Sequence, residues 1–341
     1  MASGDNHVAG EVIGQLLGDA LAYLYPAALR VAARAGLADL MADGPVPASR
    51  LAAQAGADED QLRRILRFLA TRGVFREEPD GAFGLTGAAS LLRSDSPQSL
   101  KPLVLLFTDP MYWLPAGRLD DTLRKGSTVF DDIFGAQIFD HLAASPEPDE
   151  LFADAMDALS TLEQGGVVAS YDFPAAGTVA DIGGGLGGML HTVLIRNPGL
   201  TGILFDRERV LARHRLDDPA ISGRWTTVAG DFYIEVPEGV DIYLLKRILH
   251  DKTDADCLRV LRACRRAMPE AGRVLIIDPL LPEGADYPAS LKRSDVLMMA
   301  VFEGKERTEH EVRELLGHAD LALSQVIRTP TSLTLVEAVA S

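Results

Sequence analysis

Apolar residues follow two different rhythms along the chain, and the change falls near its middle. Before about residue 162 they recur every three or four positions, as at Leu62, Leu66 and Leu69, which predicts amphipathic helices. A turn signal at 79–81 (Pro-Asp-Gly) separates two short apolar segments and predicts a hairpin. Helices followed by a hairpin are typical of a winged helix-turn-helix module, in which we expect Ser49 to cap one short helix.

From residue 177 onward the apolar residues come in short runs separated by helical patterns. Such alternation predicts a mostly parallel sheet with helices on both faces. The last two runs are separated only by residues 329–331, which predicts a closing antiparallel pair. The predicted strands are 178–182, 202–205, 225–228, 240–245, 273–277, 322–328 and 332–339. We therefore predict a helical N-terminal part followed by an α/β part.

The composition narrows the classes of protein to which the chain can belong. Apolar residues make up 47% and charged residues 24%, as in globular proteins, and the net charge of −16 argues against nucleic-acid or anionic-membrane partners. No apolar run reaches the roughly 18 residues of a membrane span, and no secretory signal is visible. Cys257 and Cys264 fit two buried thiols on one helix face, so we expect a cytoplasmic protein.

The sharpest local motif is a glycine-rich turn after the first strand of the second half. Glycines at such a turn let the backbone bend tightly and bring a ligand against the start of a helix. The spacing fits two patterns. Gly183, Gly185 and Gly188 match a dinucleotide fingerprint. Asp181, Gly183, Gly185 and Gly187 match the acid–Gly-x-Gly-x-Gly pattern of methyltransferases.

Further acids follow the next two predicted strands. Asp206 stands 25 residues after Asp181, where a carboxylate can accept hydrogen bonds from ribose hydroxyls. Asp231 and Phe232 follow the third strand, where an acid beside an aromatic ring can hold the edge and face of an adenine. Ligands of open α/β sheets bind at the carboxyl ends of strands, so these residues predict a site for a nucleoside-bearing cofactor.

His250 follows the fourth predicted strand and so belongs to the same edge of the sheet. A neutral imidazole has a suitable pKa to take the proton of a phenol while the oxygen attacks an activated methyl donor. We therefore predict His250 as a general base. The other histidines show no metal-ligand spacing and no Cys-x-x-Cys occurs, so no metal site is predicted.

Together these motifs resemble the caffeic-acid/hydroxyindole type of O-methyltransferase, a family that includes bacterial antibiotic-tailoring enzymes. The resemblance spans almost the whole chain and rests on the glycine turn, Asp206, 230–232, 249–251 and the Gly-Lys-Glu-Arg-Thr segment 304–308. It implies a class I methyltransferase fold, S-adenosylmethionine (SAM) as cofactor and S-adenosylhomocysteine as product. It also implies a winged-helix domain that pairs two subunits. The predicted domains are 1–98 for dimerisation, 99–164 as a helical connector and 165–341 for catalysis.

The resemblance also implies roles for individual residues. His250, with Asp251 next to it, would be flanked by Glu306 and by Glu337 of the last strand, which orient the imidazole. The predicted cofactor contacts are Asp181, Gly183, Gly185, Gly187, Asp206, Asp231, Phe232 and Lys246. A small, aromatic substrate is expected between the domains, against Trp113, Met156, Met298, Met299, Phe302 and Glu303.

Two positions depart from the family's pattern. Lys252 stands where the family usually has a tryptophan whose indole packs near the adenosine, and a lysine cannot stack as an indole does. Glu303 stands where a second glycine is common, and it adds an acid suited to a polar group of the substrate.

Three other functions compete with methyl transfer to oxygen. The same fold and cofactor can serve hydroxylation, decarboxylation or pericyclic steps, although the retained His250 favours transfer. An NAD-dependent oxidoreductase fits the glycine turn. A DNA-binding regulator fits the winged helix, but the segment 58–78 has five arginines and five acids and so no basic surplus.

Overall fold

The computed structural model describes residues 2–284 and 287–341, with side chains described from residue 10 onward. The chain divides into two compact units, Met1–Asp109 and Pro110–Ser341, and each has a hydrophobic core of its own. The division into 1–98, 99–164 and 165–341 stays a prediction.

The first unit is mainly helical and holds one small sheet. Its helices are α1 Ala2–Ala20, α2 Leu24–Arg34, α3 Leu37–Leu40, α4 Ala48–Ala55, α5 Glu59–Ala70, α6 Gly87–Ser90 and α7 Lys101–Phe107, and its strands are β1 Val46–Pro47, β2 Phe75–Glu77 and β3 Ala82–Leu85. The strands pair antiparallel in the order β1-β3-β2, so β2 and β3 form the wing. The winged-helix prediction is confirmed.

Local sequence sets the start of two helices of this unit, α5 and α6, through side-chain caps. Asp58 caps α5, because its carboxylate accepts the Gln61 N–H at 3.0 Å. The prediction that Ser49 caps α4 is wrong. Pro47 occupies the cap position with extended backbone, and the helix already begins at Ala48.

The second unit is α/β. Its helices are α8 Pro110–Ala116, α9 Leu119–Lys125, α10 Phe130–Phe134, α11 Ile138–Ala143, α12 Pro146–Ala169, α13 Gly188–Arg196, α14 Glu208–Leu211, α15 Asp254–Ala267, α16 Ala289–Val301 and α17 Glu309–Gly317. Its strands are β4 Gly177–Ile182, β5 Leu200–Asp206, β6 Trp225–Ala229, β7 Ile242–Lys246, β8 Arg273–Asp278, β9 Leu280–Leu281, β10 Arg307–Thr308, β11 Leu321–Arg328 and β12 Thr334–Ala340.

A seven-stranded sheet forms the centre of this unit, in the order β11-β12-β8-β7-β4-β5-β6. Strands β4 to β8 pair in parallel, and β12 runs antiparallel to both β8 and β11, which confirms the predicted fold class. The chain proceeds from β4 outward to β6 and then returns to lay β7 on the other side of β4. This reversal leaves a crevice at the carboxyl ends of β4 and β7, where open α/β sheets bind ligands.

Helices cover both faces of this sheet. Two clusters of buried apolar residues form the two halves of the core, and β7 contributes to both of them through Tyr243 and Leu244. Buried strands of this kind hold the strand ends rigidly, which fixes the positions of the side chains that follow them. In the described part of the chain no single helix is long and apolar enough to cross a membrane. The segments Gly10–Ala20 and Leu24–Arg34, bent by 44°, meet the length and hydropathy criteria only together.

Candidate active site

The glycine turn follows β4 and leads into α13. Gly183, Gly185 and Gly187 have φ values of 66°, 60° and 89°, a left-handed backbone that favours glycine. The Gly185 N–H donates to Asp206 Oδ2 at 2.9 Å, and a Cβ at Gly185 would meet nothing within 4 Å. A Cβ at Gly187 would come within 2.9 Å of Leu216. The turn is therefore open at Gly185 and closely packed at Gly187.

Asp181 is buried below this turn with an unpaired oxygen. The residue is 1% exposed, and within the described residues its Oδ2 has no hydrogen-bond partner. Burial raises the pKa of Asp181 to about 7, although the positive charge of Lys246 acts in the opposite direction. A buried carboxylate oxygen without a partner is costly, and it fits a donor group of a ligand bound at the turn.

Asp206 and Phe232 lie on the same edge. Burial raises the pKa of Asp206, against the opposing effect of the Gly185 and Arg207 N–H groups that bond to it. The Phe232 ring packs against the glycine turn, since a Cβ on Gly183 would lie 3.2 Å from its Cε1. Asp231 is exposed and accepts the Tyr233 N–H at 2.9 Å.

Helix α12 supplies groups that the sequence analysis did not predict. Glu163 is 5% exposed, and its carboxylate pairs with Lys246 Nζ at 3.2 Å and with the guanidinium of Arg247. Burial raises the pKa of Glu163, but the two cations outweigh it and the net effect is a lower value. Gln164 and Asp157 reach the first residue of α13, where a Cβ at Gly188 would meet them at 3.0 and 3.2 Å. In the sequence, the polar residues Asp157 and Gln164 recur at helical spacing along α12, and this pattern could have indicated that one face of the helix meets a polar site.

His250 is buried just after β7, and Glu306 holds it. Its Nδ1 lies 3.2 Å from Glu306 Oε1, and the residue is 7% exposed. Burial lowers the pKa of the imidazole, but Glu306, Asp278 and Asp251 outweigh this effect and raise it above the usual value. The predicted closeness of His250 and Glu306 is present in the structure. Asp251 bonds to Lys252 and influences the imidazole through its charge.

Asp278 is a second acid near the imidazole that the sequence analysis missed. It ends β8, it is 4% exposed, and its Oδ2 accepts the Leu249 N–H at 3.2 Å. Burial raises its pKa, while the nearby His250 charge lowers it. Its Oδ1 is buried without a partner in the described part of the chain. The signal was an acid at the end of a buried strand, as for Asp206.

Glu337 is not next to His250, so that expectation is corrected. Its Oε2 accepts the Tyr171 hydroxyl and lies 3.2 Å from Arg273 Nη1. Glu337 pairs with Leu275 in the middle of β8, and its carboxylate meets Arg273 at the start of that strand, whereas His250 follows the carboxyl end of β7. Antiparallel pairing of β12 sets this register, and alternation in the sequence could not reveal it.

The segment 304–308 locks the loop that carries His250. A Cβ at Gly304 would come within 2.2 Å of the His250 carbonyl oxygen, so only glycine fits there. Arg307 is buried and donates to the carbonyls of Leu249 at 2.6 Å and Lys252 at 2.8 Å, while also pairing with Asp254. These contacts fix the backbone on both sides of the imidazole.

One of the six predicted substrate contacts, Phe302, belongs to a group of aromatic rings in the structure, and the other three rings of that group are not among those six contacts. Phe302 lies with its ring centre 6.4 Å from that of Tyr112 and 6.0 Å from that of Phe139, which in turn contacts Phe152 at 5.9 Å. We call these four residues the aromatic cluster. Among the other predicted contacts Met298 is buried, Trp113 and Met156 are half-buried, and Met299 and Glu303 are exposed, with Gln137 Nε2 3.3 Å from Glu303.

Comparisons with known proteins decide the family. The O-methyltransferase dimerisation domain matches residues 19–95 and the O-methyltransferase domain matches residues 117–322. The chain is also 40% identical to the phenazine O-methyltransferase of Lysobacter antibioticus over 93% of each protein. The chain belongs to the O-methyltransferase family.

Solved structures agree with this O-methyltransferase assignment. A methyltransferase of calicheamicin biosynthesis with S-adenosylhomocysteine bound matches at a TM-score of 0.84 and 44% identity, covering 97% of this chain and 98% of that one. An O-methyltransferase of neocarzinostatin biosynthesis in complex with SAM and 2-hydroxy-5-methyl naphthoic acid matches at 0.79 and 31%, covering 93% and 96%. The predicted family and the SAM cofactor are confirmed. The alternative of an NAD-dependent oxidoreductase is therefore discarded.

The residues at the crevice beside the carboxyl ends of β4 and β7 fit SAM as a ligand. The unpartnered buried oxygen of Asp181 suits a cationic donor, and the Asp206 carboxylate suits hydroxyl groups. The open space at Gly185 leaves room for a ligand against the backbone. Which of the predicted residues makes which contact stays a prediction.

Proposed function

We propose that this O-methyltransferase methylates a phenolic hydroxyl of a small fused-ring aromatic compound, with His250 as general base. The observation that carries the proposal is the buried imidazole at the carboxyl end of β7, with Glu306 at its Nδ1. Because Glu306 accepts the Nδ1–H, Nε2 is left with the lone pair that can take a proton. His250 also lies at the same sheet edge as the glycine turn.

For this reaction the protein has mainly to align the acceptor oxygen with the methyl group and to remove the hydroxyl proton. When bound, SAM supplies a methyl group on a positively charged sulfur, which leaves as a neutral thioether. His250 takes the hydroxyl proton at Nε2 while the acceptor oxygen forms its bond to the methyl carbon. Glu306 then stabilises the imidazolium that results, as Asp278 does through its charge. Arg307 and Gly304 hold the loop in place during this step.

The aromatic cluster supports the class of acceptor. Four rings, from Tyr112, Phe139, Phe152 and Phe302, suit a flat and largely apolar molecule. Two of the relatives act on or bind fused aromatic rings, a phenazine and a naphthoic acid. Glu303 and Gln137 add polar groups near Phe302 for a substituent of the acceptor.

A panel of acceptors tests this proposal directly. Purified protein with SAM is given dihydroxyphenazine, a hydroxynaphthoic acid and the corresponding amino compounds, and products are identified by mass spectrometry. We expect methylation of a hydroxyl group. Methylation of amino compounds alone would contradict transfer to oxygen, and a hydroxylated or decarboxylated product would establish the rival chemistry.

The role of His250 is tested by substitution. His250→Ala should lower methyl transfer by about 10²-fold or more, the usual contribution of a general base, while S-adenosylhomocysteine binding stays near that of the wild type. His310→Ala is the matched control, because His310 is exposed on α17. Unchanged turnover of the His250 variant would remove the role.

We further propose a cytoplasmic homodimer formed through the N-terminal unit, without nucleic-acid or membrane partners. The match to a dimerisation domain supports the homodimer, as do exposed apolar side chains on α1, among them Leu16 and Leu17 at 65% and 61%. The net charge of −16 supports the absence of polyanionic partners. Cys257 and Cys264 are buried free thiols, which suits a reducing compartment.

A further inference from the structure

Lys252, two residues after His250 in the chain, is buried, which is rare for a lysine and requires partners for its charge. The residue is 6% exposed. Its Nζ lies 2.8 Å from Asp251 Oδ1, 4.2 Å from the centre of the Phe139 ring and 5.8 Å from the centre of the Phe232 ring. One carboxylate and two aromatic faces therefore surround the ammonium group.

The two rings that face Lys252 belong to different sites. Phe232 follows β6 and packs against Gly183, so it lies at the glycine turn. Phe139 lies on α11 and contacts Phe152 and Phe302, so it belongs to the aromatic cluster. Lys252 is thus placed between the cofactor side and the acceptor side.

We propose that Lys252 is a positioning residue that couples cofactor binding to acceptor binding in this chain. Its ammonium group, anchored by Asp251, holds Phe232 at the glycine turn and Phe139 in the aromatic cluster. When a ligand fixes the position of one of these two rings, the shared ammonium group also restrains the other ring. The proposal rests on the proposed function for the assignment of the aromatic cluster to the acceptor.

Charge and shape together explain why lysine serves at this position. A buried cation gains from the faces of aromatic rings, and removing its charge would leave the Asp251 carboxylate, 9% exposed, without this counter-ion. Methionine keeps most of the apolar volume of lysine but not the charge, whereas arginine keeps the charge and stacks on rings. Lys252→Met and Lys252→Arg therefore separate electrostatics from packing.

The chain offers a matched control for these variants. Lys292 on α16 also lies over an aromatic ring, with its Nζ 4.8 Å from the centre of Tyr287, but the residue is exposed. Lys292→Met removes a lysine–aromatic pair of the same type outside the site described above.

Calorimetry of both ligands tests the coupling. S-adenosylhomocysteine is titrated alone, and dihydroxyphenazine is titrated with and without saturating S-adenosylhomocysteine, for the wild type and all three variants. For the wild type we expect at least fivefold tighter binding of the phenol when the first ligand is present, the lower end of ordinary coupling. Lys252→Met should bind S-adenosylhomocysteine about tenfold more weakly and lose the enhancement, as expected for a desolvated cation–π contact. Lys252→Arg should stay within about threefold of the wild type, and Lys292→Met should be unchanged.

Steady-state kinetics separates positioning from general damage. Lys252→Met should raise the KM of the acceptor with kcat within about threefold, because His250 and Glu306 stay in place. The proposal would be overturned if Lys252→Met bound S-adenosylhomocysteine within twofold of the wild type, or if the methionine and arginine variants lost equal affinity. It would also be overturned if S-adenosylhomocysteine did not tighten binding of the phenol to the wild type. A wild type that binds S-adenosylhomocysteine but neither binds nor methylates the phenols would refute the proposed acceptor class instead. Binding of S-adenosylhomocysteine by the variants would then still decide whether Lys252 supports the cofactor side.

Discussion

Three carboxyl groups surround the His250 imidazole, and two of them retain an oxygen without a partner in the described part of the chain. The sequence predicted Glu306 and missed Asp278, because the strand was placed at 273–277 and its last residue, an acid, fell outside it. Glu337 was assigned wrongly, because the pairing register of the last strand decides which side chains its carboxylate meets, and these are Tyr171 and Arg273. Residue types at strand ends were therefore predictable, and their mutual distances were not.

The acids around His250 predict a particular pH dependence. Their charges outweigh burial and raise the pKa of the imidazole, so the base becomes neutral only above the usual histidine range near 6.5. The kcat/KM of the wild type should therefore rise with pH through an apparent pKa above 6.5. The ion pair between protonated His250 and Glu306 also stabilises the folded state. This contribution is complete at pH values below the pKa of His250 in the unfolded chain, and it is lost as the pH rises through the higher pKa of His250 in the folded protein.

Glu306→Gln isolates this effect. The variant should shift the rising limb to lower pH, because the imidazolium loses its nearest counter-charge, and should lower the maximal rate by roughly tenfold. Glu314→Gln is the control, since Glu314 lies 3.6 Å from His310 and both side chains are on the exposed face of α17. A profile of the Glu306 variant that coincides with the wild type would exclude a role for Glu306 in setting the pKa.

At the scale of elements, α12 does more than connect two parts of the chain. Its acids Asp149, Asp154 and Asp157 pair with Arg209, Arg213 and Arg215 of the segment after β5. Glu163, further along, reaches the end of β7. The sequence predicted 99–164 as a helical connector, but which face of a helix meets which strand end depends on tertiary packing, and residue spacing does not encode that.

Glu163 is expected to be important for stability. Glu163→Gln would leave Lys246 and Arg247 buried without their shared counter-charge, so we expect the free energy of unfolding to fall by about 3–5 kcal/mol. Urea denaturation at neutral pH measures this change. Glu309→Gln, in an exposed pair with Arg313, should cost no more than about 1 kcal/mol. Equal values for both variants would argue against a buried ion cluster at this position.

At the scale of the whole molecule, the sequence predicted both architectures well. Apolar runs located the strands of the central sheet to within one or two residues, since buried parallel strands consist almost entirely of apolar residues. The winged helix was equally visible from turn residues and helical spacing. The small strand β1 was not predicted, because two residues carry no periodicity and only pairing with β3 defines them.

The assembly state can be tested through α1. Leu16→Glu with Leu17→Glu should convert a dimer to a monomer in light scattering, because both side chains are exposed in the single chain and their burial would drive association. Circular dichroism should show an unchanged helix content. Leu123→Glu, at a residue 83% exposed on α9, serves as the control. A wild type with the mass of one chain would refute the proposed dimer.

The protonation state of the buried Asp181 carboxyl group, one of whose oxygens is unpaired among the described residues, should make cofactor binding depend on pH. With a pKa of about 7, this carboxyl group is partly protonated at neutral pH, and the ammonium group of a ligand bound at the glycine turn would displace the proton. Cofactor binding should thus release protons to the buffer near pH 7. The apparent binding enthalpy of S-adenosylhomocysteine should then differ between phosphate and Tris, by an amount that disappears in Asp181→Asn. Affinity should increase as pH rises from 6 to 8, because a smaller fraction of Asp181 then has to give up its proton for the ligand to bind.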